Sequence, residues 1–492
     1  MKFDRLIWPP TLIARKPGFL EGGNQGHFRI VPGQGLILPL VPESLIIGRV
    51  VLPSAEPAER IHLDLYRQQV HEGRAHWVLA GSATARSSGE FRLAELSAGT
   101  YKLLTRELLD RDPLIFRPGG QLYGYPPVYY PNATDFASAA VIRLSAGKTF
   151  QADLTLTRQP YYPVKVAVAN VPSVLGIAVR VSTQGRPGPG FSLGYNPEDQ
   201  TIEGALPNGT YTLEASSSGP VSATGILRIT VRDAPLKASG MILVPNRTIR
   251  VNLREEFTSV ENDLPQGPES SRPDARVQRR YLNVILEPTD DFGDQQSVTL
   301  RPPTNPKDDT LALENVHPGR YWVRFDAARG YVASATSGAV DLLQQPLLVA
   351  LGGATSAIEV TLRDDGAEID GVVEGADAPA SGTENPESSG LVTMGAPSFS
   401  LLYSPAAHVY CVPVGDSSGQ FREFWVGQDG KFNSPLLAPG AYRVLAFDHA
   451  QDQLEYHNTE AMLAYDSKGQ LVSLVAGQKE YLRLRPMTTS GQ

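Results

Sequence analysis

LSAGTY (Leu96–Tyr101), LPNGTY (Leu206–Tyr211), VHPGRY (Val316–Tyr321) and LAPGAY (Leu437–Tyr442) are four copies of one pattern, an apolar residue, two spacers, Gly, one residue and Tyr. The tyrosines fall 110, 110 and 121 residues apart, the size of one small β domain. In each copy the apolar residue closes a strand, the spacers break the ladder, and the glycine (Gly99, Gly209, Gly319, Gly440) is expected to supply positive φ. The tyrosine (Tyr101, Tyr211, Tyr321, Tyr442) opens a second strand of alternating pattern, as in Tyr211-Thr-Leu213. The expected fold class is all-β, a tandem array of Ig-like β-sandwich domains, extended or gently curved. These eight glycines and tyrosines are expected to be structural, each tyrosine hydroxyl returning to main chain near the turn.

Working outward, the expected organisation is a partial repeat and lead-in strand over 1–44, then sandwiches over 45–158, 159–245, 246–364 and 365–492. Two acidic stretches rich in Ser, Pro and Gly, Glu255–Arg276 and Glu374–Gly390, read as long insertion loops. The segment from Gly18 to Val50 repeats the aromatic turn, glycine hinge and lead-in strand that elsewhere follow a sandwich, but no sandwich precedes it. It reads as an orphan, which suggests a longer, exported natural product. No stretch approaches the ~20 apolar residues that span a bilayer, and the first residues lack the apolar run of a signal peptide.

The formal charge of −8 and the absence of a basic cluster argue against nucleic acid and anionic membranes as partners. Cys411 is the only cysteine, so neither a disulfide framework nor a thiolate metal site is available, and its apolar strand makes it a core residue. His71 and His76 in HEGRAH are five apart, do not fit zinc-helix spacing, and read as solvated residues flanking a hairpin turn. His27, His62, His317, His408 and His449 are scattered. Gly-x-Ser-x-Gly, a phosphate-binding loop and a dinucleotide fingerprint are absent. Two acidic turns, Asp290–Asp294 and Asp364–Asp370, are calcium candidates by composition but lack EF-hand spacing and read as junction turns. The Pro- and Tyr-rich stretch with Tyr123, Tyr125, Tyr129 and Tyr130 reads as an inter-domain strap whose aromatics fill a crevice, with sugar or peptide stacking as the alternative.

The stretch GRVVLPSAEPAERIHLDLYRQ, with SGEFRLAELSAGTYKLL after it, resembles the carboxypeptidase regulatory-like domain in its G-x-V opening, S-G-E-F-R step and G-x-Y turn. DGKFNSPLLAPGAYRVLAFDHAQDQLEYHN and YYPNATDFASAAVIRLSAG resemble the final domain and the inter-domain segment of large multi-repeat proteins of that type from the Acidobacteria group. The second and third copies depart from it, with DQTIEGAL and DDTLALENV where a D-G-x-F step would stand. The resemblance implies a prealbumin-like sandwich. It also prompts a search for carboxypeptidase zinc ligands. His457-Asn-Thr-Glu460 supplies His-x-x-Glu, but no histidine follows it, so the third ligand is missing and the tetrapeptide reads as a surface loop. No catalytic, cofactor or metal residue is expected. The functional expectation is a non-enzymatic cell-envelope or exterior protein, a spacer or a module for a carbohydrate or protein ligand at the cell surface. The alternative is a set of accessory domains for a separately encoded enzyme or outer-membrane transporter.

Overall fold

Each copy of the repeat is an arch between two facing sheets. In the first sandwich Glu90–Leu96 pairs with Ser44–Val51, whereas Gly99–Thr105, just past the turn, pairs with His62–His71 in the opposite sheet. Thr201–Pro207 and Gly209–Ser217 divide in the same way, as do Ala312–Val316 and Gly319–Ala327. In the fourth sandwich Lys431–Asn433 and Gly440–Phe447 do so too. The computed structural model describes residues 16–20, 40–53, 57–112, 120–172, 176–183, 188–219, 222–258, 282–290, 292, 297–302, 304, 310–375, 407–415, 417, 419–427 and 429–487. Among them the regular structure is strand apart from Thr459–Met462, a one-turn helix, and the 3-10 turn Leu463–Tyr465. The fold is a tandem set of β-sandwiches. The two acidic stretches and most of the lead-in segment before Val41 fall largely outside the described residues.

The tyrosine locks each arch. Its ring is 0–2% exposed in all four copies. Its hydroxyl donates to the carbonyl four residues back: Tyr101 to Ser97 at 2.7 Å, Tyr211 to Pro207 at 3.0 Å, Tyr321 to His317 at 2.9 Å and Tyr442 to Ala438 at 2.7 Å. Burial pushes the Tyr211, Tyr321 and Tyr442 hydroxyls far above the usual phenol range, so they stay protonated donors. The glycine acts differently from expectation. Gly209 and Gly319 lie outside the left-handed region, and Gly99 and Gly440 sit at its far edge (φ 156° and 154°). At Gly209 the position needs space, since a Cβ would come 2.8 Å from the Tyr211 hydroxyl, and at Gly440 one would come 2.2 Å from Ser417 Oγ, whereas at Gly319 it would meet only ordinary contacts at 3.5 Å. The left-handed residues are instead Glu95 (φ 59°) and Asn315 (φ 56°), where the strand before the arch slips register.

The opening strand of each sandwich also pairs in parallel with a closing strand, as Arg247–Glu256 does with Ile358–Arg363 and Glu368–Val373 with Lys479–Leu484. The glycine of the G-x-V opening marks where that closing strand crosses. A Cβ on Gly48 would fall 1.7 Å from the Ala152 carbonyl, and one on Gly371 would fall 2.4 Å from that of Leu482. Alternate residues fill four separate cores, typified by Ile46, Leu63, Leu103 and Ile142, then Val166, Ile202 and Leu213, then Val284, Leu313 and Phe325, then Ile369, Val409 and Val444.

Two features tie these cores together. The strands Leu108–Leu109 and Leu122–Tyr125 join the sheet of the second sandwich through Gln159–Ala169. The Pro-Tyr stretch buries Tyr125 and Tyr129 and packs Tyr130 edge-on against Phe150, while Tyr123 keeps 39% exposure beneath the Arg158 guanidinium. Tyr129 and Phe136 join Tyr66, Trp77 and Phe292 in an aromatic cluster that bridges the first and third sandwiches. The sandwiches are therefore not strung out as the sequence suggested.

Candidate functional site

Distant parts of the chain are brought together at the tip of one hairpin. His62–His71 and Arg74–Thr84 pair in register His71 to Arg74, leaving Glu72 and Gly73 as a two-residue loop. Their φ values of 47° and 71° are those of a type I′ turn, whose twist suits long antiparallel strands. The tip projects beyond its own sandwich and seats on the third and fourth.

Gly73 rests on the Tyr456 ring, and a Cβ there would lie 2.6 Å from the ring carbons. Its carbonyl accepts the His457 N–H at 3.2 Å. The Glu72 carboxylate accepts the Tyr456 hydroxyl at 3.2 Å and lies 3.5 Å from Arg324, whose Nε reaches Glu287 at 3.2 Å. The Arg74 guanidinium lies 4.0 Å from the centre of the Trp322 ring, a cation–π contact, and Trp322 is in turn stacked on His457 at 6.4 Å with planes 10° apart. Tyr456 stacks on Phe421 at 3.8 Å. Further along the hairpin, His76 Nδ1 meets the Asp290 carbonyl at 3.1 Å.

The electrostatics follow from this crowding. Burial first, and the neighbouring Glu72 second, push the Glu287 carboxyl up, with Arg324 opposing. Burial pushes Arg74 down to about 10, while Tyr456, Glu287 and Glu72 pull it back, so it remains a cation at neutral pH. His457 keeps an exposed edge, yet the protein packed around its ring, and then the Arg74 charge, hold it well below the usual imidazole range. It is neutral and stacks as an aromatic. His457 and Glu460 are exposed, as the surface-loop reading of the sequence had it, with His457 in a turn and Glu460 in the one-turn helix that follows. Asn458 between them caps the one-turn helix, accepting the Glu460 and Ala461 N–H groups at 3.1 and 3.3 Å.

Donor atoms of His71, Glu72 and Glu287 all lie within 4.8 Å of one another, the spacing of a metal site. The chemistry does not favour one. The two carboxylates already face Arg324 and Arg74, so a divalent cation would enter between two guanidiniums. The donor set fits an ion-pair network holding two sandwiches together. His71 is exposed, as the sequence suggested, but His76 is half-buried and hydrogen-bonded, a correction to its reading as solvated. Of the calcium candidates, Asp364 accepts the Thr258 N–H at 2.7 Å, and Asp365 accepts the Tyr331 hydroxyl at 3.0 Å and pairs with Arg363. Asp291 and Asp294 lie outside the described residues. Sequence reasoning missed Tyr456, Trp322, Arg324 and Arg74, since nothing local distinguishes them. The available hint was the Glu-Gly pair between two long alternating strands.

Other junctions are also packed. Glu107 accepts the Ser192 N–H and hydroxyl, both at 2.8 Å, between the first and second sandwiches. His317 meets Thr224 at 3.0 Å between the second and third, and Gln344 donates to the Ser417 carbonyl at 2.7 Å between the third and fourth.

No family model and no curated protein matches the chain. Among solved structures, the Bacillus anthracis TIE protein is similar over 89% of this chain and 72% of its own, at 9% identity and a TM-score of 0.16. The Streptococcal ancillary pilin is similar over 66% of this chain and 99% of its own, at 12% identity and a TM-score of 0.16. The major pilin subunit of Bacillus cereus is similar over 65% and 99%, at 9% identity and a TM-score of 0.14. Scores this low mean that the molecules do not superimpose as whole chains, and they carry no weight for function.

Proposed function

We propose that this chain is a non-enzymatic structural or adhesive protein of the cell envelope or exterior, and that its sandwiches act as one clasped unit. The observation that supports this most is the seating of the Glu72–Gly73 tip on Tyr456, His457 and Arg324. A flexible string of spacers needs no contact between its first and last members. A unit that presents fixed outer surfaces does. Inter-domain faces within a chain default to relative motion unless well packed, and here hydrogen bonds, stacked rings and ion pairs are combined at the junctions. The resemblance of the first sandwich to carboxypeptidase regulatory-like domains agrees with a non-catalytic module and with the prealbumin-like topology it implies. Among the described residues no helix is long and apolar enough to cross a membrane.

The location is tested by expressing the full-length natural gene in its own host and labelling intact cells with a membrane-impermeant amine reagent before fractionation. Labelled protein in the envelope or medium is the expected result. Protein that is unlabelled until lysis and confined to the cytosol would overturn the exterior reading.

A further inference from the structure

Between the second and third sandwiches lie two adjoining cavities of about 720 and 500 Å³, which share Ala178, Ser216 and His317. Every residue from Gly176 to Val181 lines one or the other. A strand shows alternate residues on a face, so consecutive lining residues mean that the groove runs along the edge of Ile177–Thr183. Among the described residues that edge is unpaired: the strand is the last in its sheet, bonded only to Gly209–Ser217. The far wall repeats the arrangement. Ser297, Val298 and Thr299 are consecutive in the lining, and among the described residues the strand Val298–Thr299 ends its own sheet beside Leu282–Pro288.

The exposed edge carries none of the usual guards. IAVRVST is rich in β-branched residues and lacks proline and lysine, and its one charge, Arg180, lies 3.9 Å from Glu214 on the neighbouring strand. Protection comes from the recess between the two sandwiches. The volumes fall in or near the range of roughly 300–1,000 Å³ typical of ligand sites. A stacking site for sugar rings is not offered, because Phe191 packs edge-on against Tyr211 at 5.5 Å and Phe292 is buried in the aromatic cluster.

Charge narrows the occupant. Glu214, Asp290 and Glu314 line the groove against Arg180, and Arg301 lies 3.1 Å from Glu314. Among the described lining residues, three carboxylates stand against one positive charge. His317 adds none, since burial first and Arg180 second hold its imidazole neutral. Its tautomer follows from its partners. The Thr224 hydroxyl donates to Asn246 Oδ1 at 2.8 Å, so His317 Nδ1, 3.0 Å from the same oxygen, must carry the proton. Nε2 is then a bare acceptor.

We propose that this groove receives one extended polypeptide segment carrying basic side chains, which adds as a strand to the free edge of Ile177–Thr183. Main-chain hydrogen bonds to that edge would supply affinity, and alternate side chains would meet the acidic lining. The proposal is independent of where the protein resides.

The probe is the end-capped heptapeptide KVKTKVK, compared with EVETEVE and with two versions of KVKTKVK that are N-methylated at alternate, complementary positions. Fluorescence anisotropy with full-length protein should show saturable binding of the basic peptide, weakened at least about tenfold by acidic side chains and by one or both methylation patterns. Hydrogen exchange should show new protection at alternate amides of residues 177–183. Glu214→Gln combined with Glu314→Gln should weaken the basic peptide without altering the melting temperature by more than a few degrees. Absence of binding at millimolar peptide, indifference to both methylation patterns, no protection at 177–183, or equal binding of the acidic peptide would each overturn the proposal. Protection of the groove by neutral oligosaccharides instead would also overturn it.

Discussion

Replacing Tyr442 separates the two parts that its side chain plays in the last arch. The ring is fully buried in the fourth core, and its hydroxyl lies 2.7 Å from the Ala438 carbonyl. Tyr442→Phe keeps the ring and removes the donor. The loss should be about 1 kcal/mol for the hydrogen bond, rising toward roughly 3 if the Ala438 carbonyl is left dry. Tyr442→Ala removes the ring too and should cost about 3–5 kcal/mol, the range for buried aromatic deletions. The four cores are separate, so unfolding need not be two-state, and calorimetry is the proper assay. Only the transition of the fourth sandwich should move in Tyr442→Phe. In Tyr442→Ala it should fall by many degrees, and the transition of the first sandwich should follow in part, because Tyr456 then releases the Glu72–Gly73 tip. A Tyr442→Ala protein that melts like wild type would refute the assignment of the tyrosine as the lock of the arch. A fourth transition that moves alone would refute the coupling.

Further outcomes follow from the junctions. Burial, opposed by the Ser192 donors, raises the Glu107 carboxyl to about 7. A raised carboxyl is protonated in the folded state over a range where the unfolded chain has already lost its proton. Stability should therefore fall as pH rises from about 4.5 to about 7 and level off above that, by at most roughly 3 kcal/mol. Glu107→Gln should flatten this part of a melting-temperature-against-pH curve, and an unchanged slope would count against the buried carboxyl. Gly73→Ala places a methyl against the Tyr456 ring at a φ of 71°. It should cost about 1–2 kcal/mol in backbone strain alone and open the clasp, read as faster hydrogen exchange at residues 455–458. Zinc or chelator should leave the melting temperature of wild-type protein unchanged, since Arg324 and Arg74 occupy the electrostatic role of a cation. A rise of several degrees at stoichiometric zinc, abolished by His71→Ala, would contradict that.

The repeats were readable because arches and alternating strands are local. Leu206, Gly209 and Tyr211 stand within six residues, and the Tyr211 hydroxyl finds its acceptor, Pro207, in the same turn. The part played by the glycine was not readable, since clearance from a neighbouring side chain, as at Gly209, and a left-handed turn place the same residue at the same spot. The G-x-V opening was visible as a pattern, but its reason, the passage of Ala152 or Leu482 about a hundred residues later in the chain, needed the sheet order. The clasp was hidden for the same reason taken further. Glu72 and Tyr456 are 384 residues apart, and each alone is an ordinary surface residue type. The same distance hid the part of His457 in the clasp: its surface turn was legible, but its stacking on Trp322 was not.

The most direct measurement of the clasp is an intramolecular cross-link between the first and fourth sandwiches. Cys411 is fully buried with its thiol pushed far up, so it will not compete with engineered surface thiols. His71 and Thr459 are exposed and lie on either side of the contact between Gly73 and His457. In a His71→Cys, Thr459→Cys protein at micromolar concentration, a short bis-maleimide should link the two thiols within one monomer, rapidly and in high yield. Protease digestion should then leave a fragment joining the two sandwiches. Failure to link, or links formed only between molecules, would contradict a closed unit and restore the picture of an open string.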